Sequence, residues 1–529
     1  MISPAAKLVL EKRYLLKDEA GRIIETPEEL FSRVARTASL GNKILQEKFE
    51  EALSSLEFLP NSPTLMNART QLGQLSACFV LPVEDSLTSI FEALKDMALI
   101  QQSGGGTGFS FSRLRPKGDV VRTTHGVASG PISFMSIFNT STDVIKQGGR
   151  RRGANMGILS INHPDIIEFI HAKEQGGVLT NFNISVAVDD AFMEAVKKNK
   201  SYELINPRTG QPAQNISARK VFGLICKMAW KCGDPGIIFI DEINRKNPLL
   251  NIGKIEATNP CGEQPLLPYE SCNLGSINLA KMIKGSDLDF EKFKERIRLA
   301  VEFLDNIIDA NHYPVAEIEK MTKGNRKIGL GVMGFAEMLI KLGIRYDSEV
   351  ALALGEKIAK FLTQTARQRS IEIGEQKGSF PNFQGSSWER AGLRTLRNAT
   401  LTTIAPTGSI SLIADSTSGI EPLFSLAYSK KILGGVTLTK KFKKEPQAVT
   451  ALTIKPEWHV RMQAAFQKHV DNAVSKTVNL PRSATVAEVR DIFWLAYELK
   501  CKGITIYRYG SKKEQVLYVE DSGEQCCSL

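Results

Sequence analysis

Apolar residues recur at two spacings along this chain. Short β-rich runs at Gly157 to Asn162, Val178 to Val188, Gly236 to Asp241, Lys327 to Gly334, Thr400 to Ala405 and Gly503 to Arg508 are separated by long amphipathic stretches. Strand followed by helix, repeated, predicts a parallel α/β arrangement. Ahead of these runs, roughly seventy residues read as helical. Within them Thr26-Pro27-Glu28-Glu29 has Thr as N-cap, Pro at the first helical position and Glu29 closing a capping box, so the first helix of the body is expected to begin there. No Gly/Ser/Pro-rich linker marks a domain boundary and no fixed-period repeat is visible; the one polar, biased segment is the tail Val519 to Leu529.

Composition narrows the class. With 529 residues, 42% of them hydrophobic, the chain can bury a sizeable core. Eight cysteines without a Cys-x-x-Cys pair, no N-terminal apolar h-region and no apolar run long enough to span a bilayer predict a cytoplasmic protein, with no membrane partner and mostly reduced thiols. The net charge of +11 is spread out, with Arg150 to Arg152 and Lys440 to Lys444 as the densest clusters. A dispersed basic balance suits anionic small molecules such as nucleotides at least as well as a nucleic-acid backbone, and the lysine cluster reads equally well as a solvated face.

The candidate chemistry is that of thiols. In Asn259-Pro260-Cys261-Gly262-Glu263, Pro and Gly force a turn that sets one sulfur between an amide and a carboxylate. Cys78, Cys272 and the tail residues Cys526 and Cys527 complete a redox set, whereas Cys226, Cys232 and Cys501 read as structural. A metal site is disfavoured because the six histidines are scattered and no Cys or His pair falls at ligand spacing. Three loops suit phosphate. Ala405 to Ser411 follows a β-branched run and offers N–H groups at a helix start, with no lysine of the Walker type; Gly104 to Gly108 permits close backbone approach; and Gly149 to Gly153 supplies arginine forks, with Asp143 upstream as a receiver of ribose hydroxyls.

The stretch from Asn259 to Asn278, with Asn-Pro-Cys-Gly-Glu at its head and Cys272 within it, closely resembles the finger loop of ribonucleotide reductase large subunits. The likeness extends over nearly the whole chain through Pro60 to Asn67, Leu75 to Phe79, Gly104 to Gly108, Leu179 to Ser185, Ala405 to Ile410 and His469 to Ala473, and it is strongest for the adenosylcobalamin-dependent (class II) branch. It implies a ten-stranded α/β barrel of two parallel five-stranded halves, with the finger threaded through it and Cys261 at the sheltered tip. The organisation expected is an N-terminal helical region over 1–70, the barrel over 71–515 and a redox tail over 516–529.

The resemblance also implies roles. Cys261 as a thiyl radical takes the 3′ hydrogen of a ribonucleotide, Glu263 takes the 3′-hydroxyl proton, Asn259 binds the sugar, and Cys78 and Cys272 supply the electrons and finish as a disulfide. Cys526 and Cys527 would exchange with that disulfide and be reduced by a thioredoxin-like protein, although tail cysteines in the family are usually separated rather than adjacent. Substrate contacts are expected from Ser62, Thr64, Ala77, Gly106, Pro406, Thr407, Gly408, Ser409 and Ile410. Asp143, Arg150, Arg151, Lys173 and Asn181 would serve a deoxynucleoside triphosphate effector at a homodimer interface, and on/off control through an added ATP-binding domain is not expected. Adenosylcobalamin is the cofactor implied. The alternative, a radical supplied by a separate metal-containing subunit, uses two adjacent tyrosines that are interrupted here as Tyr507-Arg508-Tyr509. A non-catalytic nucleotide or nucleic-acid-binding protein would also explain the basic charge, yet has no use for Asn259, Cys261 and Glu263 together.

Overall fold

The computed structural model describes residues 2–121, 126–146, 153–431, 437–441, 445–511 and 517–519. Four helices open the chain: α1 (Pro4–Arg13), α2 (Pro27–Ala38), α3 (Lys43–Ser54) and α4 (Ser62–Asn67). The capping box at Thr26 forms as expected, Glu29 N–H donating to Thr26 Oγ1 (3.2 Å) and Thr26 N–H to Glu29 Oε2 (2.7 Å). It does not start the first helix. Ser3 caps α1 with Pro4 at its first position, a start signal of the same kind that the reading passed over.

The central ten-stranded sheet comprises β1 (Phe58–Pro60), β2 (Cys78–Leu81), β3 (Gly106–Ser110), β4 (Asn155–Ser160), β5 (Phe182–Val188), β6 (Gly236–Phe239), β7 (Ser271–Asn278), β8 (Ile328–Met333), β9 (Thr477–Leu480) and β10 (Gly503–Arg508). β2 to β6 run parallel in sequence order, and β7 with β8 and β9 with β10 are also parallel. β2 meets β7, β6 meets β10 and β1 meets β7 antiparallel. Parallel bridges also join Leu330 to Thr402 and Ile404 to Val474.

The β-rich runs read from sequence lie at or within two residues of the observed strands, except where local geometry intervenes. Leu179 adopts φ +50°, so β5 starts at Phe182 rather than Val178, and a helix at Ile240 ends β6 early. Thr400 to Ala405 contributes isolated bridges rather than a ladder.

Period-two alternation sends the sides of each strand to different cores. Phe79 and Leu81 of β2 pack with helices such as α5 (Leu87–Gln102) and α6 (Pro131–Lys146), whereas Cys78 and Val80 pack with Ala257, Leu266 and Cys272. Sheets covered on both faces need strands apolar throughout, and β6 (Gly-Ile-Ile-Phe) obeys this. β7, Ser-Cys-Asn-Leu-Gly-Ser-Ile-Asn, does not, although all of it is buried. Its polar side chains are met by residues remote in sequence: Ser271 Oγ shares a hydrogen bond with Thr322 Oγ1 (2.9 Å) and Asn273 Nδ2 donates to Leu304 O (2.9 Å), while Asn273 Oδ1 is buried and meets no donor.

Candidate active site

The hairpin that pairs Ala257–Thr258 with Pro265–Leu266 carries the Asn-Pro-Cys-Gly-Glu turn. Gly262 at φ +81° supplies the left-handed residue that the turn requires, and its N–H donates to Asn259 O (3.1 Å). Asn259 Oδ1 accepts from Gln264 N–H (3.0 Å), which orients the amide and leaves Nδ2 to donate to Cys78 Sγ (3.0 Å). Asn183 Nδ2 holds the Pro260 carbonyl (2.8 Å). On the return strand the Glu263 carbonyl accepts from Ala473 N–H (2.9 Å) and Thr403 Oγ1 (2.9 Å). The backbone on both sides of Cys261 is thus pinned, in part by the His469–Ala473 segment singled out in the sequence.

The glycine run at 104–108 has a steric purpose. It leads into a strand and not a helix, and a Cβ on Gly108 would lie 1.7 Å from Thr258 O, one on Gly106 2.9 Å from Pro260 Cγ. These glycines let the hairpin lie directly on β3, while Gly105 and Gly106 also line the cavity that the Thr407 to Ile410 loop borders.

Cys78 and Cys272 are direct register partners across the antiparallel β2–β7 pair. Such partners share a face with Cα atoms about 4.5–5.5 Å apart, inside the roughly 4.4–6.8 Å window for a disulfide. Their environments differ. Cys78 is 3% exposed and lines a cavity, whereas Cys272 is 0% exposed and lies against the carbonyl of Lys327. Complete burial pushes the Cys272 thiol well above the ordinary cysteine range, against the opposing pull of Lys327, so it keeps its proton at neutral pH. Burial likewise pushes Cys226 and Cys501 up to about 12, in keeping with structural roles. Among these cysteines, alkylation of the native reduced protein at pH 8 should mark Cys261 first and Cys78 next, with Cys272, Cys226 and Cys501 protected until unfolding. Peptide mass spectrometry reads the order, and early labelling of Cys272 contradicts this assignment.

Two cavities meet at the finger. The first, of about 270 Å³, is lined by Cys78, Asn259, Cys261 and Glu263 at one end and by Pro406 to Ile410 at the other. The second, of about 360 Å³, is lined by ends of β5, β6, β9 and β10 and by Lys476 and Glu421. Pro260, Cys261 and Pro406 line both. Cys261, expected to be sheltered, is exposed, and the space it faces includes these two cavities.

Of the expected substrate residues, Ser62, Ala77, Gly106, Pro406, Thr407, Gly408, Ser409 and Ile410 line the first cavity. Thr64 lies behind it, its hydroxyl donating to Leu75 O (2.9 Å) and its N–H to the capping Asn61 (3.0 Å). Thr407 takes φ +54° and its Oγ1 accepts from Gly419 N–H (2.7 Å), which bends the loop into the short helix Ile410–Ile413. A first helical turn leaves N–H groups without intrahelical acceptors.

Asn181 and Asp143 are brought together through Asn139 of α6, which accepts from Asn181 N–H (3.0 Å) and donates to Asp143 Oδ2 (3.4 Å). Lys173 pairs with Asp234 (2.9 Å), which lines the second cavity, and donates to the carbonyl of Phe182 (2.5 Å), next to Asn181. Arg150, Arg151, Cys526 and Cys527 lie outside the described residues.

Sequence reading missed several residues. Ser276 on the first cavity wall had no motif beyond the matched stretch. In the second cavity the Lys476 ammonium donates to Glu421 and to His459 Nδ1 (3.0 Å), whose Nε2–H is on Ala451 O (3.0 Å). Burial pulls both Lys476 and His459 below their ordinary ranges. These three are far apart in sequence and carried no local signal.

A thiol on an immobilised turn, sharing a cavity with one of two cysteines that are register partners in a mixed sheet, fits cysteine-based redox proteins. The family model described as "Ribonucleotide reductase, all-alpha domain" matches residues 2–73, and "Ribonucleotide reductase, barrel domain" matches 76–449 and 436–507. The chain belongs to the ribonucleotide reductase large-chain family. It is 48% identical over 608 residues, covering 96% of this chain and 79% of the relative, to a vitamin B12-dependent ribonucleoside-diphosphate reductase of Thermoplasma acidophilum. A Mycobacterium tuberculosis protein of the same name is 48% identical over 559 residues, covering 98% and 80%. A vitamin B12-dependent ribonucleotide reductase of Streptomyces coelicolor is 30% identical over 618 residues, covering 96% and 64%.

Proposed function

We propose that this chain reduces ribonucleoside diphosphates to 2′-deoxyribonucleoside diphosphates, with adenosylcobalamin as cofactor, a radical on Cys261 and electrons from Cys78 and Cys272. The observation that carries the reading is the register pairing of Cys272, behind the wall, with Cys78, which lines the same cavity as Cys261. Cys261 as a thiyl takes the 3′ hydrogen atom of the ribose, becoming a thiol, while Glu263 accepts the 3′-hydroxyl proton. The 2′-hydroxyl departs as water. Cys78 and Cys272 together give up two electrons and two protons and become a disulfide, one proton leaving in that water and the other becoming the new hydrogen on C2′, while Glu263 returns its proton to the 3′ oxygen and Cys261 its hydrogen to C3′. Asn259, donating to Cys78 Sγ, positions one sulfur of the pair as well as serving the sugar.

The second cavity fits a nucleoside-sized group approaching Cys261 away from the thiol pair, with Asn183, Ser185 and Thr505 as polar lining. Those residues would hold the adenosyl arm of adenosylcobalamin, which when bound supplies the one-electron oxidation of the Cys261 thiol.

The same reading takes the sheet as a ten-stranded barrel of two five-stranded halves. The bridges at Thr402 and Ile404, which link β8 to the segment leading into β9, support this. It keeps 1–70 as a helical domain, 71–515 as the barrel and 516–529 as a tail whose Cys526 and Cys527 pass electrons from a thioredoxin-like protein. Asp143 and Asn181, joined through Asn139, would face a deoxynucleoside triphosphate effector. Exposed Phe91 on α5 and Ile137 on α6 favour a homodimer there. Among the described residues no helix is long and apolar enough to cross a membrane, which suits a cytoplasmic enzyme.

The purified chain, given a ribonucleoside diphosphate, a dithiol and adenosylcobalamin but no second protein, should form deoxynucleotide, and none without the cobalamin. Chromatographic product analysis reads this. No product under the full conditions rejects cobalamin dependence and favours a missing subunit.

A further inference from the structure

The first cavity has an electrostatic gap. Among the described residues its lining carries one acidic side chain, Glu263, and no lysine or arginine. Its far end, Thr407 to Ile410, nevertheless has to receive a multiply charged anion if it is the phosphate loop. Hydroxyls and N–H groups can direct such a group, but removing a phosphate from water without a counter-charge is costly.

The nearest candidate cation comes from the N-terminal helical region. α1 packs against the short helix Ile410–Ile413, and at its end Arg13 Nη1 donates to Ser409 Oγ (2.9 Å). The guanidinium Nε is buried and meets no acceptor. Arg13 has no ion pair with a carboxylate among the described residues, unlike Arg33, Arg296 and Arg326, each held by one or more carboxylates. Next to it, Tyr14 is fully buried and its hydroxyl shares a hydrogen bond with Ser62 Oγ (2.8 Å), another residue of the cavity lining. Two adjacent side chains of one helix end therefore hold two hydroxyls of the cavity wall, and one brings a positive charge with an unused donor.

We infer that Arg13 is a substrate-binding residue that contacts the terminal phosphate of the nucleoside diphosphate, with Tyr14 positioning Ser62 beside it. This rests on the reading of Thr407 to Ile410 as the phosphate loop. An arrangement made only to dock α1 would pair the guanidinium fully, because a buried charged donor left unmet is destabilising. An arriving phosphate oxygen completes the set, and the planar fork of arginine suits two oxygens of one phosphate better than a lysine would.

The test measures equilibrium binding in a Cys261→Ser background, so that no turnover intervenes, with a nucleoside diphosphate and the matching monophosphate as probes. Arg13→Met should weaken the diphosphate about 10- to 100-fold and the monophosphate less than about 3-fold, with Arg13→Lys between. Equal affinity of parent and variant for the diphosphate overturns the inference and leaves the phosphate loop intact. Equal losses for both probes also overturn it, since Arg13 then only seats α1. A parent that binds neither probe rejects the phosphate-loop reading itself. Should Arg13→Met not fold, modification of the wild-type chain by phenylglyoxal decides: Arg13 is protected by the diphosphate and not by the monophosphate if the inference holds, and is equally reactive with either if it does not.

Discussion

Replacing Cys261 with serine is expected to abolish deoxynucleotide formation, by at least about 10,000-fold, while nucleotide binding stays within a few fold of wild type. The substitution is nearly isosteric, and the backbone around position 261 is held by Asn183, Thr403 and Ala473 rather than by the sulfur. What changes is the bond. An alkyl O–H is far stronger than an S–H, so a serine oxygen neither forms a persistent radical here nor returns a hydrogen atom to carbon readily. Product assay and equilibrium binding on the same preparation check the two halves of this outcome. Retained turnover sinks the radical mechanism, and lost binding shows that the substitution disturbed the finger.

Gly108→Ala is expected to cost on the order of 100-fold in turnover although it touches no reacting atom. The added methyl would lie 1.7 Å from the Thr258 carbonyl oxygen, where real Cβ contacts essentially never fall below 3.0 Å. Both partners are backbone, so no side chain can rotate aside, and the hairpin must lift off β3 by more than about 1 Å, a misplacement that costs on the order of 100-fold in rate. Gly223→Ala in the helix Ala218–Cys232 is the control, since its Cβ meets nothing within 4 Å and alanine favours a helix. Turnover and thermal unfolding of the two variants separate a finger effect from a general glycine effect. Equal behaviour would mean that the hairpin is not seated as described.

How much of this was legible in the chain depended on whether the signal was local. The finger turn, the Ala405 to Ser411 loop and the capping box at Thr26 are contiguous strings that can be read where they stand. β7 was harder to see as a buried strand because its polar residues are satisfied by partners such as Thr322 and Leu304, remote in sequence. The glycine run was readable as close approach but not as close approach to Thr258, since the partner is set by the fold. Arg13 was invisible for the same reason: nothing near it names Ser409, 396 residues away. The Ser3-Pro4 helix start that delivers Arg13 was there to be read.

Pro260, Cys261 and Pro406 form a thin partition between two chambers. The prolines are chemically inert and lack an N–H, so across that wall the sulfur is the group able to carry an unpaired electron. Under the function proposed above, whatever oxidises the sulfur from one side therefore needs no acquaintance with the sugar on the other. Lineages could replace the igniter while leaving the nucleotide chamber untouched.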